Sequence, residues 1–173
     1  MTRLLAIDPG TRCTGWAMYT DTRLVRCGAL RAKSLEEMIA TLRATWTWGG
    51  VWLSEGGMQI VIERPQVYRQ AKQIGDPNDL IDVAFVAGAA AALFEGARLH
   101  FVLPSEWKAG VPKPPRVGEP YIIERRLRAT LAKPELEALE RGLAGLPAGR
   151  RYDVIDAAGL GLVAVKRLSR GLV

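Results

Sequence analysis

The stretch Leu4-Leu5-Ala6-Ile7-Asp8-Pro9-Gly10-Thr11-Arg12-Cys13-Thr14-Gly15-Trp16-Ala17-Met18-Tyr19 ends an apolar run on a carboxylate and turns the chain back at once. Leu4 to Ile7 reads as a buried strand, Pro9-Gly10 as its turn, and Gly15 to Tyr19 as a second strand. Asp8 thus stands at the lip of the core, where a strand would ordinarily stop on something neutral. Further along, Gln59-Ile60-Val61-Ile62-Glu63 repeats the pattern, an apolar strand closing on an acid with Pro65 close behind. Two strands ending on acids are a functional signal, because open α/β sheets gather ligands at strand ends.

Outward from these strands, Leu24 to Leu30 predicts a third strand after the Asp21-Thr22 turn, completing an antiparallel meander. Ser34 opens a helix with Glu36 and Glu37 in its first turn and Leu35, Met38, Ile39 and Leu42 on its apolar face; it runs out near Trp48-Gly49-Gly50. A small-residue helix from Asn78 to Glu95, capped by Asp76-Pro77-Asn78 and stopped by Gly96, reads either as a core helix or as one packed against a second subunit. Leu99 to Pro104 predicts a fifth strand, and the Pro- and Gly-rich basic segment 109–120 a loop. Two charged helices, Tyr121 to Leu131 and Pro134 to Leu143, lead through a Gly145–Gly149 turn into a last helix from about Tyr152 to Leu168. The order of elements predicts one α/β domain over residues 1–173, a mixed sheet covered by helices.

With 173 residues, 49% of them hydrophobic, the chain can bury one ordinary core. A net charge of +6 makes a polyanion such as nucleic acid the natural partner. No apolar stretch is long enough to span a bilayer and the N-terminus lacks a signal pattern, so we expect a cytoplasmic protein without a membrane partner. Cys13 and Cys27 read as free, buried thiols. His100 is the sole histidine, with no Cys or His cluster to join as a zinc ligand and little room for a Ser-His-Asp arrangement.

The last helix carries Asp153 and Asp156, three apart and on one face. For Asp153, placement at the positive helix N-terminus is an equally good explanation. Asp156 lies deeper, beside Ala157 and Ala158, and needs a cation or donor if buried. If the first and fourth strands are neighbours and the last helix crosses their ends, Asp8, Glu63, Asp153 and Asp156 converge. Their repulsion calls for hard divalent cations, and an all-oxygen set selects Mg²⁺ or Mn²⁺. Two such ions about 3.5–4 Å apart activate a water and stabilise both oxygens of an in-line phosphodiester displacement. A basic chain with such an acidic cluster reads as a nuclease.

The motifs LLAIDPGTRCTGWAMY, IVIERP and DVIDAAGLGLVAVKR resemble, in that order, the acidic motifs of RuvC-like Holliday junction resolvases. The resemblance spans nearly the whole chain, and its first motif is the most specific. It implies an RNase H-like fold, a five-stranded mixed sheet with helices on both faces. It further implies that Asp8, Glu63, Asp153 and Asp156 are catalytic metal ligands for two Mg²⁺ ions per subunit, with Mn²⁺ as a substitute, and that Lys108 is a basic catalytic residue beside them. The family's second lysine falls near Glu119, leaving Lys113 or Arg116 to serve. Tyr68 matches an aromatic placed to stack on an unpaired base, although a half-buried loop aromatic would read the same. Arg64, Arg69, Lys72, Lys113, Arg116, Arg150 and Arg151 surround the acidic motifs and together would hold DNA phosphates. The partner implied is a four-way junction, cut symmetrically by a homodimer; a motor partner is not specified by the sequence.

Two other classes share parts of this pattern. Asp-x-Gly-Thr turns also occur in actin-like sugar kinases and ATPases, but these need a second lobe for which the chain is too short. RNase H-like nucleases acting on forks, flaps or RNA-containing duplexes share the same acids. A non-catalytic junction-binding protein is the remaining alternative, and four acids without metal would repel DNA.

Overall fold

The computed structural model describes residues 2–47, 57–67, 77–94, 96–108 and 121–167. In chain order the elements are β1 Arg3–Asp8, β2 Cys13–Thr20, β3 Arg23–Arg31, α1 Leu35–Thr47, β4 Met58–Glu63, α2 Pro77–Ala92, β5 Arg98–Val102, α3 Pro104–Trp107, α4 Ile122–Thr130, α5 Lys133–Leu143 and α6 Ala148–Ala164. Among the described residues, the strands form one five-stranded sheet in the order β3-β2-β1-β4-β5. The first three strands pair antiparallel, whereas β4 pairs parallel with both β1 and β5. The mixed sheet expected from the sequence is therefore present, with β1 and β4 as neighbours.

Alternation along β1 sets the layers. Leu4 and Ala6 enter one core with Ala17, Tyr19 and Val61, covered by α4, α5 and α6. Leu5 and Ile7 enter the other with Ile60 and Ile62, covered by α1 and α2. Helices thus lie on both faces, and each buries an apolar layer large enough to hold the sheet rigid.

Two features of the opening motif lock this arrangement. Thr14, fully buried, donates to the Gly10 carbonyl at 3.0 Å and accepts the Gly10 amide at 3.3 Å, closing the turn after Asp8. At Gly15 a Cβ would stand 1.9 Å from the backbone oxygen of Asp153, so only glycine lets α6 cross β2 this closely. The cysteines are free and buried, and the register places Cys27 opposite Ala17, four residues along β2 from Cys13 and beyond disulfide reach.

Several boundaries differ from the sequence reading, β2 for instance starting at Cys13, and three of them bear on the site. The last helix starts at Ala148, four residues before Tyr152, because Pro147 supplies an extended N-cap and Gly149 lies in the first turn, where its amide has no intrahelical partner to lose. Asp153 is then six residues into α6 and the N-terminal dipole does not explain it. The small-residue helix ends at Ala92, and Gly96 at φ 83° turns the chain beyond it. The fifth strand stops at Val102; Pro104 instead starts α3, a short helix whose Glu106 side chain accepts the Leu103 amide at 2.7 Å.

Candidate active site

The alternation that sends Leu4 and Ala6 toward α6 sends Asp8 the same way, and Glu63 follows Val61 onto that face. Ile7 pairs with Ile62 in register, so the acids that follow them end adjacent parallel strands side by side. Across the hairpin Asp8 pairs with Gly15, which lies directly beneath the Asp153 backbone. The ends of β1 and β4 and the second and third turns of α6 thus meet at one edge of the core. Asp8 is 7% exposed and Asp156 not at all.

Among the described residues, Lys108 is the cation in direct contact with this cluster. It follows α3, and its ammonium lies 3.1 Å from Glu63 Oε2 and 3.0 Å from Asp156 Oδ2. The same ammonium sits 5.0 Å from the centre of the Trp107 ring. Trp107, fully buried, donates its indole N–H to Glu63 Oε2 at 2.6 Å. Tyr121 donates its hydroxyl to Asp156 Oδ1. Among the described residues, Asp156 is therefore held by one charged and one neutral donor, on opposite oxygens.

Burial raises the Glu63 carboxyl above its usual value; Lys108 opposes this, while Asp156 adds to it. Burial, followed by the Asp156 carboxylate, raises the Tyr121 phenol far above its usual range, so the hydroxyl keeps its proton and remains a donor. Burial, followed by the nearby Asp153 carboxylate, pushes the Cys13 thiol up to about 12. At neutral pH Cys13 keeps its proton, and Asp153 lies near it at this end of β2, its backbone against Gly15.

Glu63, Lys108 and Asp156 are thus in direct contact, and Asp8 and Asp153 belong to the same corner through Gly15 and Cys13. Among the described residues, no group of three or more His, Cys, Asp or Glu side chains stands ready to close around an ion. The ammonium of Lys108 lies between two of the acids instead. Arg64 is exposed just past β4, its amide continuing the ladder to Val102 at 2.9 Å. Arg150 is exposed in the first turn of α6, and Arg151 is half-buried. Tyr68, Arg69, Lys72, Lys113 and Arg116 lie outside the described residues. Trp107 and Tyr121 were not anticipated from the sequence. Trp107 was legible only as the neighbour of Lys108, and Tyr121 read as an ordinary helix start.

No protein-family model matches the sequence, and no curated protein matches it. Among solved structures, Thermus thermophilus RuvC in complex with a Holliday junction substrate is similar over 95% of this chain and 94% of that one, with TM-score 0.56 and 17% identity. A second Thermus thermophilus RuvC structure is similar over the same shares, with TM-score 0.54 and 18% identity. The yeast mitochondrial Holliday junction resolvase Ydc2 is similar over 95% of this chain and 82% of its own, with TM-score 0.53 and 12% identity. The likeness is one of fold. The chain has the RuvC-like, RNase H-like architecture that its opening motif suggests.

Proposed function

We propose that the chain is a divalent-metal-dependent endonuclease that resolves four-way DNA junctions, each subunit of a homodimer cutting one of two symmetric strands. The observation that supports this reading is the acidic corner under α6, where Glu63 and Asp156 share one buried ammonium with Asp8 at the adjoining strand end. It rests on a fold similar to that of RuvC bound to its junction substrate.

The donor set suits Mg²⁺, with Mn²⁺ as a substitute, because it is all oxygen and already attracts a cation in the form of Lys108. Asp8, Glu63, Asp153 and Asp156 would hold two ions. When bound, these would lower the pKa of an attacking water and offset charge on the scissile phosphate. The chain supplies the rest. The rigid ends of β1 and β4 fix Asp8 and Glu63, and Trp107 fixes the Glu63 carboxylate through its indole N–H. Lys108 carries positive charge in a water-poor setting, where it would offset charge on a phosphate oxygen. Arg64 and Arg150, exposed beside the corner, would position the backbone on either side.

The dimer is assigned to α2. Ile81, Phe85, Gly88 and Ala92 form one exposed stripe at helical spacing, with Ile81 55% and Phe85 60% exposed. Sedimentation should give a dimer at micromolar concentration and a monomer for Phe85→Glu. The function is tested by comparing cleavage of a four-way junction, a fork, a flap, a linear duplex and an RNA/DNA hybrid with Mg²⁺. The junction should be cut first, at paired sites, leaving ligatable ends. Equal cutting of linear duplex would overturn junction selectivity, and preference for the hybrid would place the chain with the RNase H-like enzymes that act on RNA.

A further inference from the structure

Among the described residues, Tyr121 is the uncharged side chain that donates to Asp156, and its place in the fold is fixed from several sides. It sits at the N-cap of α4, 2% exposed, its ring packed edge-on against Tyr152 of α6 with centroids 5.3 Å apart. Tyr152 immediately precedes Asp153, so one aromatic pair ties α4 to the helix that carries both aspartates. The Tyr121 hydroxyl reaches Asp156 Oδ1 while Lys108 takes Oδ2 at 3.0 Å.

The two donors to Asp156 are not equivalent toward a metal. A divalent ion approaching Oδ2 repels the Lys108 ammonium and competes with it for the same oxygen. A phenol carries no charge to repel the ion and occupies the other oxygen. It therefore restrains the carboxylate's rotation and keeps Oδ2 turned toward the Lys108 side, as donors behind metal ligands commonly do.

We propose that Tyr121 is a positioning residue of this site, orienting Asp156 so that the oxygen now paired with Lys108 is the one offered to a divalent cation. The proposal rests on the metal-dependent nuclease reading and adds to it a residue with a distinct task. Tyr121 and Lys108 then have opposite effects on metal binding, although both donate to the same buried carboxylate.

The test measures Mn²⁺ affinity of the full chain by calorimetry, and junction cleavage, for wild type, Tyr121→Phe and Lys108→Met. Tyr121→Phe keeps the ring and its packing on Tyr152. It should weaken Mn²⁺ binding about tenfold and lower kcat about 10–100-fold, the usual cost of losing a donor behind a metal ligand, with junction affinity in Ca²⁺ unchanged within about twofold. Lys108→Met should bind Mn²⁺ at least as tightly as wild type while cleaving poorly. If both variants lose Mn²⁺ affinity alike, the donors merely hold the corner together and the assignment fails. If Tyr121→Phe binds Mn²⁺ and cleaves like wild type, the assignment fails while the nuclease reading stands. A wild-type protein that neither binds Mn²⁺ nor cuts branched DNA overturns the nuclease reading itself, and the assignment with it.

Discussion

Glu63 and Glu135 are both shielded carboxylates facing a basic side chain, yet their surroundings treat them in opposite ways. Glu135 lies at the far end of the sheet, 4% exposed, where its oxygens accept the Leu24 amide at 2.8 Å, the Ala132 amide at 3.0 Å and a two-pronged pair from Arg167. Burial pushes this carboxyl up, but Arg167 and the two amides outweigh it and leave the group below its usual 4.5. Arg167 in turn donates to the Thr22 and Thr130 carbonyls, so β2–β3, α4, α5 and the end of α6 are tied at one point. Glu63 has the Trp107 indole and one lysine shared with a second acid, and its carboxyl is raised. A saturated carboxylate holds the fold, whereas an acid crowded by other acids and served by a displaceable ammonium is prepared for a stronger cation.

The most severe break in this comparison comes at Asp8. Asp8→Asn removes a strand-end charge without altering shape and should lower junction cleavage by about three orders of magnitude, on the order of 4 kcal/mol of transition-state stabilisation. Junction binding should persist or tighten, since one charge facing the phosphates is gone. Gel-shift and single-turnover cleavage measurements on one preparation separate the two effects, and a fully active variant would end the proposed chemistry.

At the other end the loss should be of stability and not of activity. Glu135→Ala strands the Arg167 guanidinium and two backbone amides, costing about 3 kcal/mol. For a chain of this size that lowers Tm by roughly 6–12 °C. Cleavage per folded molecule should be unchanged, and a lost kcat in a well-folded Glu135 variant would erase the distinction drawn above.

The two glutamates also differ in sign with pH. Because the native carboxyl of Glu135 lies below 4.5, its contribution is present above the unfolded value and fades as pH falls through that value toward the native one. The stability gap between wild type and Glu135→Gln should therefore narrow on acidification below about pH 4.5. Glu63 is raised in the native state, so its contribution is full below the unfolded value and is lost as pH climbs through the native one. Glu63→Gln should then leave metal-free stability at pH 7 within about 1 kcal/mol of wild type or slightly above it, while removing cleavage. Chemical denaturation at pH 4 and pH 7 checks both signs, and a large destabilisation by Glu63→Gln at pH 7 would overturn the contrast.

How much of this was legible in the sequence follows from which signals are local. Asp8 and Glu63 stood out because a period of two and an abrupt turn are local patterns, and strand ends are where α/β sheets bind. Gly15 carried its reason in the motif, but only the packing of α6 reveals it as the contact that admits the Asp153 backbone. The start of α6 was hidden by Gly149, which reads as a turn residue and here lies inside the helix. Trp107 and Tyr121 escaped notice because their partners are 44 and 35 residues distant, and no periodicity marks a contact made by tertiary approach. Glu135 read as one more charge on a charged helix for the same reason.

The smallest effect expected concerns surface arginines, where the same contrast between satisfied and available groups recurs. Arg128 on α4 is engaged by Glu124 at 2.8 Å and by Glu140, and it serves to join α4 and α5. Arg150 sits exposed in the first turn of α6, close enough to Cys13 to oppose part of the rise in its thiol pKa and so beside the acidic corner. A cation in a first helical turn opposes the dipole, an arrangement that becomes favourable once a phosphate sits between them. Arg150→Ala should weaken junction binding by a few-fold and reduce the slope of log K against log salt by about 0.9, the signature of one lost phosphate contact. Arg128→Ala should leave that slope unchanged. Titrations from low to moderate salt decide between them, and equal slopes for Arg150→Ala and wild type would remove Arg150 from the DNA path.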